Sequence, residues 1–401
     1  MSTIVTNTAA TKSWKLKIAS YVCLTFFGYI SIGLPLGVLP IFLHKTLGFN
    51  EVITGIVISL QYVTTFFIRG YAGTIVDKKG PKVAVYISMV SFAVSGLLFA
   101  LAIWQQHTPM LSLVTLSVSR LIMGCGEGMI GASPVNWAML VVGRQHTAEA
   151  ISYNGIFTYG SLAIGAPLGV YITQFLGLQY IGAFSVLFSL LGLLYAKTKP
   201  AVKESSVAAD ISFIQVLKKV APYGLGLGLA GIGFGSISNF ITLYYDYWNW
   251  QNAAYALTVF SAAFITGRFI FSNAINKHGG INVAIFCILT EVVGLGILFM
   301  AGNAGLALIG AAISGLGFSL VFPALGVEAV KLLPASRAGV ALAAYGLFID
   351  LSLGVTGPFS GTIVNLFGMR SLYAFSAGLV FAGLILLLYL KKKNRVEALA
   401  E

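Results

Sequence analysis

Arg69-Gly-Tyr-Ala-Gly73-Thr-Ile-Val-Asp77-Lys78-Lys79-Gly80-Pro81-Lys82 is a short polar break between two apolar runs, and its first twelve residues recur as Arg268-Phe-Ile-Phe-Ser-Asn-Ala-Ile-Asn276-Lys277-His278-Gly279, 199 positions later. A second stretch, Gly155-Ile-Phe-Thr-Tyr159-Gly-Ser-Leu-Ala-Ile-Gly-Ala-Pro167, aligns with Gly346-Leu-Phe-Ile-Asp350-Leu-Ser-Leu-Gly-Val-Thr-Gly-Pro358 at an offset of 191. Two echoes in one order at nearly one spacing are what duplication of a single unit leaves behind.

The duplicated unit is made for hydrocarbon. Of 401 residues 58% are hydrophobic and 9% charged, and the mean hydropathy is +0.90, which excludes an ordinary water-soluble globule. About 20 mostly apolar residues cross the hydrocarbon core as a helix. Such segments occur twelve times: 16–43, 51–76, 81–104, 110–138, 148–172, 177–197, 217–245, 253–275, 280–301, 304–332, 337–366 and 369–391. The reading is an all-α polytopic membrane protein with twelve transmembrane helices. A cytoplasmic tail (1–15) precedes a six-helix bundle (16–197), a polar cytoplasmic linker (198–216), a second six-helix bundle (217–391) and a cytoplasmic tail (392–401).

Charge orients the chain. On this count Lys45 and Arg370 fall on the outer side, Arg69, Arg120 and Arg268 lie within segments, and the remaining Lys and Arg collect on the inner side, as short cytoplasmic loops require. Both termini are therefore expected in the cytoplasm, with no removable leader. The net charge of +12 reads as topology and contact with lipid headgroups, so membrane lipids are expected partners and nucleic acid is not. Tyr244, Tyr245, Tyr247, Trp248 and Trp250, near an outer helix end, read as interfacial lipid anchors.

Little else in the chain carries chemistry of the enzymatic kind. Cys23, Cys125 and Cys287 stand alone without CxxC spacing, and His44, His107, His146 and His278 fall at segment ends, so neither metal nor cofactor is expected. HExxH, GxSxG and GxxxxGK[ST] are absent, which argues against an enzyme and against direct ATP drive.

Gly73-Thr-Ile-Val-Asp77-Lys78-Lys79-Gly80-Pro81-Lys82 resembles the loop between the second and third helices of the major facilitator superfamily, with Pro81 and Asn276 as departures. Arg120-Leu-Ile-Met-Gly124-Cys-Gly126-Glu127-Gly128 is similar to that superfamily's RxxxGxG motif. Gly165-Ala-Pro167-Leu-Gly169 is similar to its Gly-Pro motif of proton antiporters, with Ala166 where glycine is usual. Ile32 to Pro40, Phe240 to Asp246, Gly317 to Gly326 and Asp350 to Pro358 resemble the bacterial inner-membrane YhhS/YfcJ-like transporters of the drug and metabolite efflux branch. The resemblance implies two six-helix bundles related by a pseudo-two-fold axis, alternating access, and a substrate site near the bilayer midplane. It also implies that Asp77 docks at the helix start near Ser336 and Arg337, where the helix dipole favours an anion, and that this latch gates the cytoplasmic side. The gating set is then Arg69, Gly73, Asp77, Lys78, Gly80, Lys82 and Arg268; for Arg69 and Arg268, snorkelling to the headgroups is the other reading.

Ionisable groups at mid-membrane depth are costly to keep and point to function. Glu127 lies near the middle of the fourth segment and Asp350 near the middle of the eleventh. With Arg120, two turns before Glu127, they form the proton-coupling set, either as carriers or, for Arg120 and Glu127, as a structural ion pair. The resemblance puts Glu127 on a solvated cavity face. Tyr29, Gln61, Asn136, Trp137, Asn154, Tyr159, Asn239 and Tyr345 sketch a substrate cavity of rings and amides, whereas Glu291, in a peripheral ninth helix, reads as packing. The expected function is a proton-coupled antiporter exporting small organic molecules, with a proton symporter importing a sugar or organic acid as the alternative and a non-transporting receptor or membrane enzyme behind both. Small organic substrate and protons are the expected partners, and one chain of twelve helices suffices as a monomer.

Overall fold

The computed structural model describes residues 2–143, 146–202, 213–271, 273–333 and 338–400, excluding the side chains of 2–13, 77, 148, 338–339 and 397–400. Every regular element among them is helical. In chain order they are α1 (Ser2–Leu36), α2 (Leu39–Ile41), a π turn (Phe42–Thr46), α3 (Glu51–Lys79), α4 (Pro81–Trp104), α5 (Pro109–Ile130), α6 (Ser133–Val142), α7 (Thr147–Phe175) and α8 (Tyr180–Lys197). There follow α9 (Phe213–Tyr247), α10 (Ala253–Ile270), α11 (Ala274–His278), α12 (Gly280–Met300), α13 (Ala304–Phe318), α14 (Val321–Lys331), α15 (Ala338–Phe367) and α16 (Ser371–Ala400). Helix is forced on an apolar chain in lipid because it satisfies each backbone N–H and C=O within its own segment.

The described residues form twelve spans long and apolar enough to cross a membrane, on the twelve segments anticipated above. The eighth stops at Ile270, short of 275, because Phe271 leaves helical geometry before the short α11 begins. The first, fourth and tenth spans are each broken once, the fourth at Gly131–Ala132 and the tenth at Ser319–Leu320.

Two compact units are formed, one from Met1–Pro35, Thr64–Gly165 and Ile172–Ala208, the other from Leu36–Val63, Ala166–Tyr171 and Ala209–Glu401. Within the first, α4 packs on α5 and α8; within the second, α12 packs on α13 and α16 in the same way, as duplication requires. The first unit's core gathers Ile18, Val85, Met89, Phe92, Met123 and Trp137. In the second, α9 packs along α15, and α10 along α13. Gly80 and its echo Gly279 each take positive φ, +87 and +80, at the turn between two helices. Gly80 also has no room for a side chain, since a Cβ there would stand 2.7 Å from the Val202 carbonyl.

The tyrosines of α9 overturn one sequence expectation. Tyr244 and Tyr245 are buried, their hydroxyls donating to the carbonyls of Leu298 at 2.9 Å and Ala304 at 3.0 Å, and both pack edge-on against Trp250. They fasten α9 to the α12–α13 turn instead of anchoring lipid. Only a phenol with a carbonyl in reach can be buried without loss, and period alone did not show those carbonyls. Tyr247 is exposed, as an anchor would be.

Candidate functional site

Glu127 stands on the last turn of α5, one turn before the break at Gly131. Its surroundings are set by glycine. Gly124 and Gly128 face α3, where the Thr65 hydroxyl reaches the Gly124 carbonyl at 3.2 Å and a Cβ on Gly128 would meet Ile68 at 2.8 Å. Gly126 faces the other way, toward Phe92 of α4, and its carbonyl accepts from the Ser88 hydroxyl at 2.7 Å. The glycine motif around Glu127 thus lets two helices approach one span from different sides.

Thr65 Oγ1 lies 3.1 Å from Glu127 Oε2, inside the protein. Glu127 is 5% exposed and Arg120 1%. The solvated cavity face that the resemblance implied for Glu127 is therefore not its position in this conformation: the glycine crossing brings α3 down onto the carboxyl group.

Arg69, one turn beyond Thr65, continues along that crossing. A Cβ on Gly131 would stand 3.4 Å from Arg69 Nη1, so the guanidinium covers the residue on which α5 ends. Arg268 does the same in the other unit, its Nε donating to the carbonyl of Ser319, which ends α13, at 2.9 Å, while its guanidinium lies over Phe264. A cation at a helix C-terminus meets the negative end of the dipole and unused carbonyls. Both arginines thus reach the broken spans of their own units.

Asp350 is buried at 2% exposure on α15. One turn on, Gly354 comes within contact of Tyr62 of α3, the Ser59 hydroxyl faces the Leu353 carbonyl at 3.5 Å, and Gly357 meets Gly55 backbone to backbone. Gly354, Gly357 and Gly361 form the stripe that α15 presents to α3, and Asp350 stands one turn before it. The same unit carries an ion pair that sequence reasoning passed over, Lys45 Nζ to Asp246 Oδ1 at 2.5 Å, with His44 Nε2 3.9 Å from Glu51 Oε1 beside it.

Of the sketched cavity residues, Gln61, Trp137, Asn239 and Tyr345 are fully buried, Tyr29 nearly so, and Asn136, Asn154 and Tyr159 partly exposed. Asn154 accepts from Thr25 at 2.7 Å and donates to the Gly131 carbonyl at 3.4 Å, which joins it to the break in the fourth span. Trp137 donates to the Pro200 carbonyl and Tyr345 to the Phe322 carbonyl, both as fasteners in their unit's packing. Neither amide atom of Asn239 has a hydrogen-bond partner among the described residues. Glu291 is buried in α12 with its Oε1 in space that only glycine at 233 leaves, and its oxygens also lack partners among the described residues.

Around the turn between α3 and α4, Lys78 is exposed, Gly73 has open space around it, and Lys82 donates to the carbonyls of Lys197 at 3.3 Å and Lys199 at 2.6 Å. The Asp77 side chain and residues 334–337, the two sides of the expected latch, lie outside the described residues.

This architecture recurs in known proteins. A profile of the Major Facilitator Superfamily matches residues 21–251 and 223–400. An uncharacterized MFS-type transporter of Pseudomonas aeruginosa strain UCBPP-PA14 is 47% identical over 388 residues, 96% of each chain, and YhhS of Escherichia coli K12, also an uncharacterized MFS-type transporter, is 44% identical over 378 residues, 94% of this chain and 93% of its own. The crystal structure of the human organic anion transporter MFSD10 superposes with a TM-score of 0.73 at 15% identity, covering 93% of this chain and 99% of that one; the nucleoside transporter NupG gives 0.71 at 14%, covering 94% and 99%. With twelve spans, this fold and these relatives, the chain belongs to the Major Facilitator Superfamily, as a multi-pass membrane transporter and not an enzyme.

Proposed function

We propose that this transporter is a proton-coupled antiporter of a bacterial inner membrane, working as a monomer with both termini in the cytoplasm, that exports small organic molecules by alternating access. The carrying observation is the Thr65–Glu127 pair, a carboxyl group buried on a glycine-lined crossing beside a helix break. Helix movement that opens the crossing would change the solvation of this carboxyl group, the condition under which an intramembrane carboxyl group can exchange a proton. Opening of the crossing would therefore couple proton exchange to the conformational step. Asp350, one turn before its own glycine stripe, is the second coupling group, and Arg120 holds Glu127 ready for exchange or meets substrate.

Polar and aromatic side chains, Asn136, Asn154, Tyr159 and Asn239 among them, suit a small organic ligand, in keeping with the organic cargoes named for the two solved structures. Asp77, with Arg69, Gly73, Lys78, Gly80, Lys82 and Arg268, forms the gating set. The test is cellular accumulation of dyes, antimicrobials, sugars and organic acids with wild type and Glu127→Gln at matched expression. Lower accumulation in wild type, abolished by Glu127→Gln, is expected. Higher accumulation of a sugar or acid in wild type overturns export in favour of proton symport, and an unaltered effect in Glu127→Gln returns Glu127 to a structural role.

A further inference from the structure

Between α4 and α8 runs a groove of about 380 Å³ lined by Tyr86, Val90, Leu190, Leu193, Leu194 and Lys197. Val90, Leu190 and Leu194 are 51%, 49% and 59% exposed, so the groove opens on the face that meets lipid. From Lys197 to Leu190 it descends seven residues, about 10 Å at 1.5 Å per residue, into a hydrocarbon layer about 30 Å thick. Its mouth lies at the water boundary, where α8 ends at Lys197 and α4 begins at Pro81.

Charge at the mouth has one sign among the described side chains. Lys82, Lys197 and Lys199 gather there, and neither 81–126 nor 150–203 contains an Asp or Glu. Two of the three lysines are occupied: Lys82 bonds the carbonyls of Lys197 and Lys199 and lies over Tyr86, and Lys199 lies over Tyr21 and Tyr195 at 5.0 and 4.7 Å. Those contacts fix the position of the cations and neutralise none of their charge. Lys197 has no side-chain partner among the described residues and borders the groove itself.

We propose that this groove is a specific site for an anionic glycerophospholipid, one acyl chain lying along Val90, Leu190 and Leu194 and the phosphate resting on Lys197, with Lys82 and Lys199 adding field from behind. The apolar lining suits a chain and nothing polar; the lysines, uncompensated among the described residues, select at headgroup level a net negative lipid over a zwitterionic one. A lipid so held bridges α4 and α8, the two helices that the first unit packs side by side. The site stands apart from the transport reading and survives its failure.

The test is native mass spectrometry of the full chain in detergent with equimolar phosphatidylglycerol and phosphatidylcholine of identical acyl chains. Preferential retention of phosphatidylglycerol is expected, with Lys197→Gln lowering that preference about fivefold, the effect of one lysine at a membrane surface, and Lys197→Arg preserving it. Leu193→Trp, which fills the groove, should lower retention of both lipids. Lys197 is exposed at a helix end, so its substitution leaves the fold intact and reads on lipid alone. Equal retention of the two lipids, an unchanged preference in Lys197→Gln, or displacement by soluble glycerol phosphate would overturn the proposal.

Discussion

Arg268 donates from Nε to the Ser319 carbonyl at 2.9 Å, and Arg69, its counterpart 199 residues earlier, lies against Gly131 at the corresponding break of the other unit. Each half of the duplicated chain therefore brings the arginine of its second span to the C-terminus of a helix that stops within a span, and in the second unit Arg268 caps it. Lipid offers no hydrogen bond to the carbonyls left there, so the cap replaces what water would supply in a soluble protein.

Removing that cap should cost more than removing an ordinary membrane-surface arginine. Arg268→Gln is expected to destabilise the second unit by about 1–2 kcal/mol, and Arg268→Lys by less, read as the melting temperature in detergent against Arg395→Gln as an exposed control. An unaltered melting temperature in Arg268→Gln would remove the cap from the account.

Gly55 and Gly357 touch backbone to backbone, and a Cβ on Gly55 would run into the Gly357 carbonyl. Gly55→Ala should separate α3 from α15 at a cost of about 1–3 kcal/mol and raise labelling of a cysteine placed at Ser59. Gly73→Ala, with nothing within 4 Å, should leave stability unaltered. Equal labelling in both variants would show that the contact is not close in the membrane.

Thr65→Val removes the hydroxyl beside Glu127 while keeping its volume. Losing one buried hydrogen bond to a carboxyl group should cost about 1–2 kcal/mol of stability and shift the pH dependence of substrate-driven transport, whereas Glu127→Gln should abolish dependence on the proton gradient. Transport in Glu127→Gln that still follows the gradient would assign coupling elsewhere, with Asp350→Asn the next variant.

The Lys45–Asp246 pair is partly exposed, 54% and 32% by side chain, so Lys45→Gln should change thermal stability by less than about 1 kcal/mol. Its expected effect is on opening: faster cysteine labelling near Gly55, restored by the exchange Lys45→Asp with Asp246→Lys. Failure of the exchange to restore labelling would mean the pair is incidental.

Much of this architecture is legible in the sequence. Twelve apolar segments, the two echoes and the motifs around Gly73 and Arg120 fixed the span count, the duplication and the family, because lipid leaves an apolar chain few options besides helices of membrane-crossing length. Tyr244 and Tyr245 show where such reading stops: at a helix end, tyrosine is equally at home against headgroups or against a neighbouring turn, and only the approach of the Leu298 and Ala304 carbonyls decided for the core. Arg69 and Arg268 were legible as an intramembrane pair repeated by duplication, but the helix ends they approach belong to spans about 60 and 50 residues away.

What the sequence determined alone is thus whatever depends on local periodicity and solvent: the spans, their number and the repeated unit. The partners of the intramembrane charges were decided by tertiary structure, because hydrogen bonds and ion pairs form over about 3 Å, and which groups come within that distance depends on how glycines let distant helices cross. Glu127 met Thr65, and Lys45 met Asp246, by such crossings and not by any spacing along the chain.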